Sequence, residues 1–175
     1  MKKELKNCMT SELIFQAMKE NCTEEEKKSY IDEYERRLKM MKLSDEQIAA
    51  FRKIDEDAIN NGCYMFKDIL LASKPMITDR SNLDSISLDK CTFSELVFLT
   101  DDANAAFVRD HEWLPREAWE LVIKYSLRGM AKAEIEREHR MEKIGMNDEQ
   151  TRIFIRNECK ISERIRWKVH NELSW

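Results

Sequence analysis

The chain has little to turn on. Only three of its 175 residues are glycine (Gly62, Gly129 and Gly145) and only two are proline (Pro75 and Pro115). So few breakers favour long helices over a many-stranded sheet. With glycine this sparse, a phosphate-cradling loop has nothing to be built from. G-x-S-x-G, H-E-x-x-H and C-x-x-C are all missing, so the usual marks of a serine hydrolase, a zinc protease and a thiol-ligated zinc site are absent. The five cysteines, Cys8, Cys22, Cys63, Cys91 and Cys159, are odd in number and dispersed. That argues for a reducing compartment and against a disulfide framework. Met1-Lys2-Lys3-Glu4 opens on basic residues but no apolar stretch follows, so no signal peptide is expected. No apolar run reaches the length of a bilayer-spanning helix. The expectation is a cytoplasmic protein with no membrane partner.

What the chain has is charge in helical register. Charged residues make up 37% and hydrophobic residues 42%, a balance that suits helices with one solvated face rather than a disordered chain. The net charge of −4 is uneven: residues 1–75 carry −1, residues 76–112 carry −5 and residues 113–175 carry +2. The acidity is local to the middle.

Helix boundaries are written in several places. Leu13, Ile14, Ala17 and Met18 give an amphipathic face over 10–21, with Thr10 or Ser11 as cap. Thr23-Glu24-Glu25-Glu26 is a capping box with three acids at the positive end of the helix dipole. Tyr30, Ile31, Tyr34, Leu38 and Met41 then line one side of a helix over 24–42. After Ser44, the residues Ile48, Phe51, Ile54, Asp55, Ala58 and Ile59 recur at helical spacing, and Asn60-Asn61-Gly62 is either a break or a weak patch in a longer helix. Pro75 opens an extended, turn-rich stretch over 75–91. Thr92 or Ser94 can cap Leu96, Val97 and Leu99, and Thr100-Asp101-Asp102 resembles a second cap. Pro115 fits the first position of a helix over 115–128. A helix over about 130–144 ends at Gly145, and the last follows Asn147 with Phe154, Ile161, Ile165, Val169 and Leu173 on its core side. The fold class expected is all-α: one domain over 1–175, a compact bundle of about six to eight helices.

One stretch returns. Leu43-Ser44-Asp45-Glu46-Gln47 reappears 103 residues later as Met146-Asn147-Asp148-Glu149-Gln150, with Glu35 over Glu138, Arg37 over Arg140 and Phe51 over Phe154. Ser44 and Asn147 can accept a first-turn amide, and Gln47 and Gln150 at the third helical position can reach back to the cap. Capped helix starts resemble one another for this reason alone. The alternative is two related helical hairpins flanking a central helical segment, and a two-fold relation between them in the fold separates the two explanations.

Three constellations carry chemistry. Asp101, Asp102, Asp110, His111, Glu112 and Trp113 form the densest polar-aromatic cluster, inside the acidic middle. Their expected role is recognition of a protein partner, with a basic surface as its complement. By analogy with small, acidic, motif-free helical proteins, the reading is a non-enzymatic binding module, such as a bacterial inhibitor of the immunity or antitoxin type. Arg152, Arg156, Lys160, Arg164 and Lys168 recur every four residues, and Arg152, Arg156, Arg164 and Lys168 are the residues a nucleic-acid-binding regulator would use. Such rows are mostly solvated faces, and the acidic net charge speaks against nucleic acid. Glu136-x-x-His139, with His111, would be the start of a metal-dependent enzyme, but the second such pair that a di-iron bundle needs is missing. No catalytic residue, cofactor or metal is expected.

Overall fold

The computed structural model describes residues 4–62, 87–100 and 132–173, with side chains to residue 164. Among these residues the chain is all-helical, with six α-helices and no strand. A 3-10 turn at Leu5–Asn7 leads into α1 (Thr10–Ala17), α2 (Glu24–Met40) and α3 (Asp45–Asn60). A second 3-10 turn at Leu88–Lys90 leads into α4 (Phe93–Thr100), α5 (132–143) and α6 (Asp148–Leu173). The helix expected over 115–128 and most of the extended stretch over 75–91 lie outside the described residues.

The local caps form as their chemistry dictates. The Glu26 amide donates to Thr23 Oγ1 at 3.2 Å, and the Thr23 amide donates to the Glu26 carboxylate. Ser44 and Gln47 make the same reciprocal pair, as do Asn147 and Gln150. α3 does break at Asn60, and α6 runs on to Leu173. Two boundaries differ from expectation. α1 stops at Ala17, and neither Thr10 nor Ser11 caps it, because both hydroxyls are engaged across the molecule. α2 ends at Met40 because Lys42 turns left-handed, with φ +63°.

The two halves repeat each other, and the repeat is longer than the helix starts suggest. Leu5, Cys8, Ser11, Glu12, Leu13 and Phe15 recur as Leu88, Cys91, Ser94, Glu95, Leu96 and Phe98, each 83 residues on. From Glu33/Glu136 the spacing becomes 103. Each copy is thus a 3-10 turn, a short Ser-Glu-Leu helix and a helical hairpin. Both hairpins turn on a left-handed residue, Lys42 at φ +63° and Gly145 at φ +73°. Each closes with an amide reaching back five residues, Leu43 to the Leu38 carbonyl and Met146 to that of Met141.

The contacts between copies are reciprocal, as an isologous two-fold interface requires. The Gln47 and Gln150 side-chain amides bond each other in both directions, at 3.4 and 3.2 Å. Each also donates to the turn of the other hairpin, Gln47 to the Gly145 carbonyl and Gln150 to that of Lys42, both at 2.8 Å. Beneath them Phe51 and Phe154 meet edge to face at 5.3 Å between ring centroids, and Phe93 stacks on Phe51 at 4.0 Å. Tyr34, Leu38, Met41, Val97 and Met141 complete this core. The described helices form two interlocked copies of one unit.

Candidate functional site: the polar clasp between the two copies

The densest group of buried titratable side chains lies where α1 and α4 meet on the pseudo-two-fold axis. Glu12, Asp55, Glu95 and Glu158 are all buried there, with Thr10, Ser11, Thr92 and Ser94. Two i, i+3 pairings are local, the Met9 amide on Glu12 at 3.2 Å and the Thr92 amide on Glu95 at 2.9 Å. They leave the next amides of each helix start needing acceptors.

Those acceptors come from the opposite copy. The Ser11 amide donates to Ser94 Oγ at 2.8 Å, and the Ser94 amide donates to Ser11 Oγ at 3.0 Å. The Phe93 amide donates to Asp55 Oδ1 at 2.9 Å, so α3 of the first copy caps α4 of the second. The Thr10 amide donates to both Glu158 oxygens, at 3.1 and 3.2 Å, and its hydroxyl bonds the same carboxylate, so α6 caps α1. Asp55 and Glu158 are equivalent positions, 103 residues apart. The shorter acid faces the bulkier Phe93 and the longer acid faces Thr10. The Tyr34 hydroxyl adds a bond to Asp55 Oδ2 at 2.9 Å.

Two arginines strap the 3-10 turns in identical ways. Arg37 donates to the Leu5 and Cys8 carbonyls at 2.8 and 2.7 Å, and its Nε is held by Glu33 at 2.9 Å. Arg140 donates to the Leu88 and Cys91 carbonyls at 2.7 and 2.5 Å, and its Nε is held by Glu136 at 2.8 Å. Planar guanidinium suits this, since one group fits two carbonyls and a carboxylate at once. The bonds from Arg36 and Arg37 hold Glu33 down to about 2 against the pull of partial burial.

Burial pushes the clasp acids the other way. Loss of solvation raises Asp55 to about 7, although the Phe93 amide and Tyr34 hydroxyl favour its charged form. It raises Glu95 to about 8, with the Asp55 charge adding to the effect. Glu158 is raised as well, again by burial. Perturbed acids of this kind often mark active sites. Here their oxygens are occupied by helix amides and hydroxyls of the same chain. Two clefts flank α3, one of about 330 Å³ over Ile14, Ala17 and Ile31 and one of about 280 Å³ beside Glu35, Lys39 and Ile48. Neither is lined by any clasp acid. The clasp's hydrogen bonds fasten the two copies to each other.

None of the clasp acids was among the site residues singled out from the sequence. Asp101, Asp102, Asp110, His111, Glu112 and Trp113 lie outside the described residues. Arg152, Arg156, Lys160 and Arg164 are all exposed on α6; Lys168 lies on the same helix, beyond the described side chains. Glu136 is spent on Arg140 and His139 is exposed, so the pair does not converge. Among the described residues, no group of three or more His, Cys, Asp or Glu is placed to hold a metal ion, and no helix is long and apolar enough to cross a membrane. The clasp residues Ser11, Ser94, Asp55 and Glu158 are what reading the sequence missed. Their signal was present in the Leu-x-x-Cys-x-x-Ser-Glu-Leu-x-Phe match at a spacing of 83.

No protein-family profile, no curated protein and no solved structure is matched by the chain.

Proposed function

We propose that the protein is a non-enzymatic binding module that recognises a basic protein partner through the acidic segment of its second copy, in the manner of an immunity or antitoxin-type inhibitor. The carrying observation is the inequality of the two copies. The change in spacing from 83 to 103 means that the second copy holds twenty more residues than the first between its Ser-Glu-Leu helix and its hairpin. The cluster Asp101, Asp102, Asp110, His111, Glu112 and Trp113 lies within that longer stretch. The first copy makes the same turn, helix and hairpin without it, so the scaffold has no need of the extra residues. Additions to a self-sufficient scaffold are where recognition tends to be carried.

The clasp supports a binding role too, because its acids are engaged in holding the helices and the halves are tied rigidly together. A cytoplasmic setting fits the cysteines, since Cys8, Cys22, Cys91 and Cys159 form no disulfide. The test is capture of partners from native lysate by wild type and by a variant with Asp101, Asp102 and Asp110 changed to Asn and Glu112 to Gln. A basic protein held by wild type should associate more slowly with the variant, and its association rate should lose most of its salt dependence. A partner that binds both proteins with the same rate and the same salt dependence would refute the reading.

A further inference from the structure

We infer that the exposed basic strip of α6, Arg152, Arg156, Lys160 and Arg164, is a second docking surface, and that it takes an acidic helical segment of a protein partner.

The duplication supplies an internal control for this strip. The equivalent positions are Ala49, Lys53 and Asp57 on α3 and Asn61 at its C-cap, which together carry one positive and one negative charge. Lys53 and Asp57 pair there at 3.2 Å, the ordinary i, i+4 arrangement of a solvated helix face. On α6 the same four positions are all cationic. Successive like charges four residues apart repel one another along a helix, so the row opposes the helix that carries it. Arg152, Arg156 and Lys160 are exposed, and Arg152 has only the exposed Glu149 one turn before it as a favourable charge, one that Lys42 already pairs at 2.9 Å. Arg164 donates once, to the Lys6 carbonyl at 3.0 Å, and Asn61 makes the matching bond to the Asp89 carbonyl at 3.2 Å. The fold's need at that position is therefore met without a charge. The first copy builds the same helix pairing without four cations here, and a partner that neutralises them relieves the repulsion.

The surroundings favour protein over nucleic acid. Ile153 and Ile155 pack against the core on either side of the strip but stay half-exposed, and that apolar edge suits an amphipathic helix better than a sugar-phosphate backbone. The chain's net charge of −4 repels a long polyanion as a whole, whereas a short acidic helix meets only the local field. A row repeating every four residues is also the ridge along which two helices interdigitate, so acids at the same interval on the partner fall into register with it. The one exposed acid at the far end of the strip, Glu163, sits at its edge.

The experiment grafts the first copy's residues onto the second: Arg152→Ala and Lys160→Asp, as they stand within α3, and Arg164→Asn, as it stands at the C-cap of α3. Binding is followed by fluorescence anisotropy of a labelled helical peptide with Glu at every fourth position and an apolar flank, beside a DNA duplex and a single-stranded RNA of similar length. The peptide should bind wild type, should weaken about tenfold or more on the graft, and should be insensitive to Lys53→Ala with Asp57→Ala. The nucleic acids should bind far more weakly. Circular dichroism checks that the graft stays helical, and Arg152→Gln with Arg156→Gln replaces it if it does not. Equal peptide binding by wild type and graft, or no peptide binding, overturns the proposal. Binding of nucleic acid as tight as that of the peptide overturns it in favour of a phosphate-backbone site.

Discussion

Asp55→Asn separates the shape of the buried clasp from its charge. Burial raises the Asp55 carboxyl from 3.8 to about 7. Its folded-state pKa then lies above its unfolded one, so the stability it contributes is full below about pH 4 and is lost as the pH rises through about 7. Within that window the unfolded chain has released the proton and the folded chain has not. One group in this state lowers stability by about 1.4 kcal/mol for each unit of rising pH. Asparagine keeps the size and an oxygen for the Phe93 amide, and its own amide can donate to the Tyr34 hydroxyl oxygen, but it does not titrate. Urea unfolding at about pH 4.5 and about pH 6.5 should show the variant gaining on wild type by about 2–3 kcal/mol across the two units, with an unchanged m-value. Glu95 and Glu158 remain in both proteins, so their own titration largely cancels in the difference. Parallel pH profiles for the two proteins would refute the argument. Asp55→Ala is the contrasting case. It leaves the Phe93 amide and the Tyr34 hydroxyl without an acceptor in a dry core, about 1–3 kcal/mol each, at low pH as well as high.

The repeat makes further predictions in pairs. Arg37→Met and Arg140→Met each remove two charge-assisted bonds to backbone carbonyls, so each should lose at least about 2 kcal/mol. Calorimetry should then show a fall in Tm of about 4–8 °C for either variant; a large fall in one and none in the other would break the equivalence of the two straps. Lys42→Gly should stabilise by about 1 kcal/mol, because glycine adopts the left-handed turn without strain while the exposed ion pair to Glu149 contributes little. Gly145→Ala should destabilise by a similar amount through backbone strain alone, since a new Cβ there comes no nearer to another residue than 3.9 Å, at Gln47 Nε2. Equal chemical denaturation midpoints for wild type and both variants would show that the turns do not carry that strain.

What could be read from the sequence was what short-range bonding decides. Thr23 with Glu26, Ser44 with Gln47 and Asn147 with Gln150 are closed rings of four residues, and each formed as its spacing indicated. The rows of Tyr34, Leu38, Phe51 and Phe154 reached the core for the same local reason, helical period. The clasp obeyed a different rule. Asp55 stood in an otherwise apolar row, and its acceptor role depends on the Phe93 amide 38 residues away. Ser11 and Ser94 looked like helix caps, yet each serves the other across 83 residues. The twenty added residues shift the spacing between copies, so a comparison at 103 alone finds the hairpins and loses the Ser-Glu-Leu helices. At the two spacings of 83 and 103 together, the sequence carries the duplication of turn, short helix and hairpin. The acidic cluster and the basic strip were legible as charge, but their contrast with the first copy needed the structural equivalence of α3 and α6.

The exchange of caps between copies also sets an order on how the molecule can be made. α1 leaves the ribosome well before α6, yet the carboxylate that closes its start belongs to Glu158, 148 residues later. The Thr10 amide must therefore wait for that carboxylate until α6 has been synthesised. Closing so distant a pair is slow relative to a bundle of purely local hairpins. The same wiring joins the later and earlier helices into one cooperative unit, so loosening α6 uncaps α1.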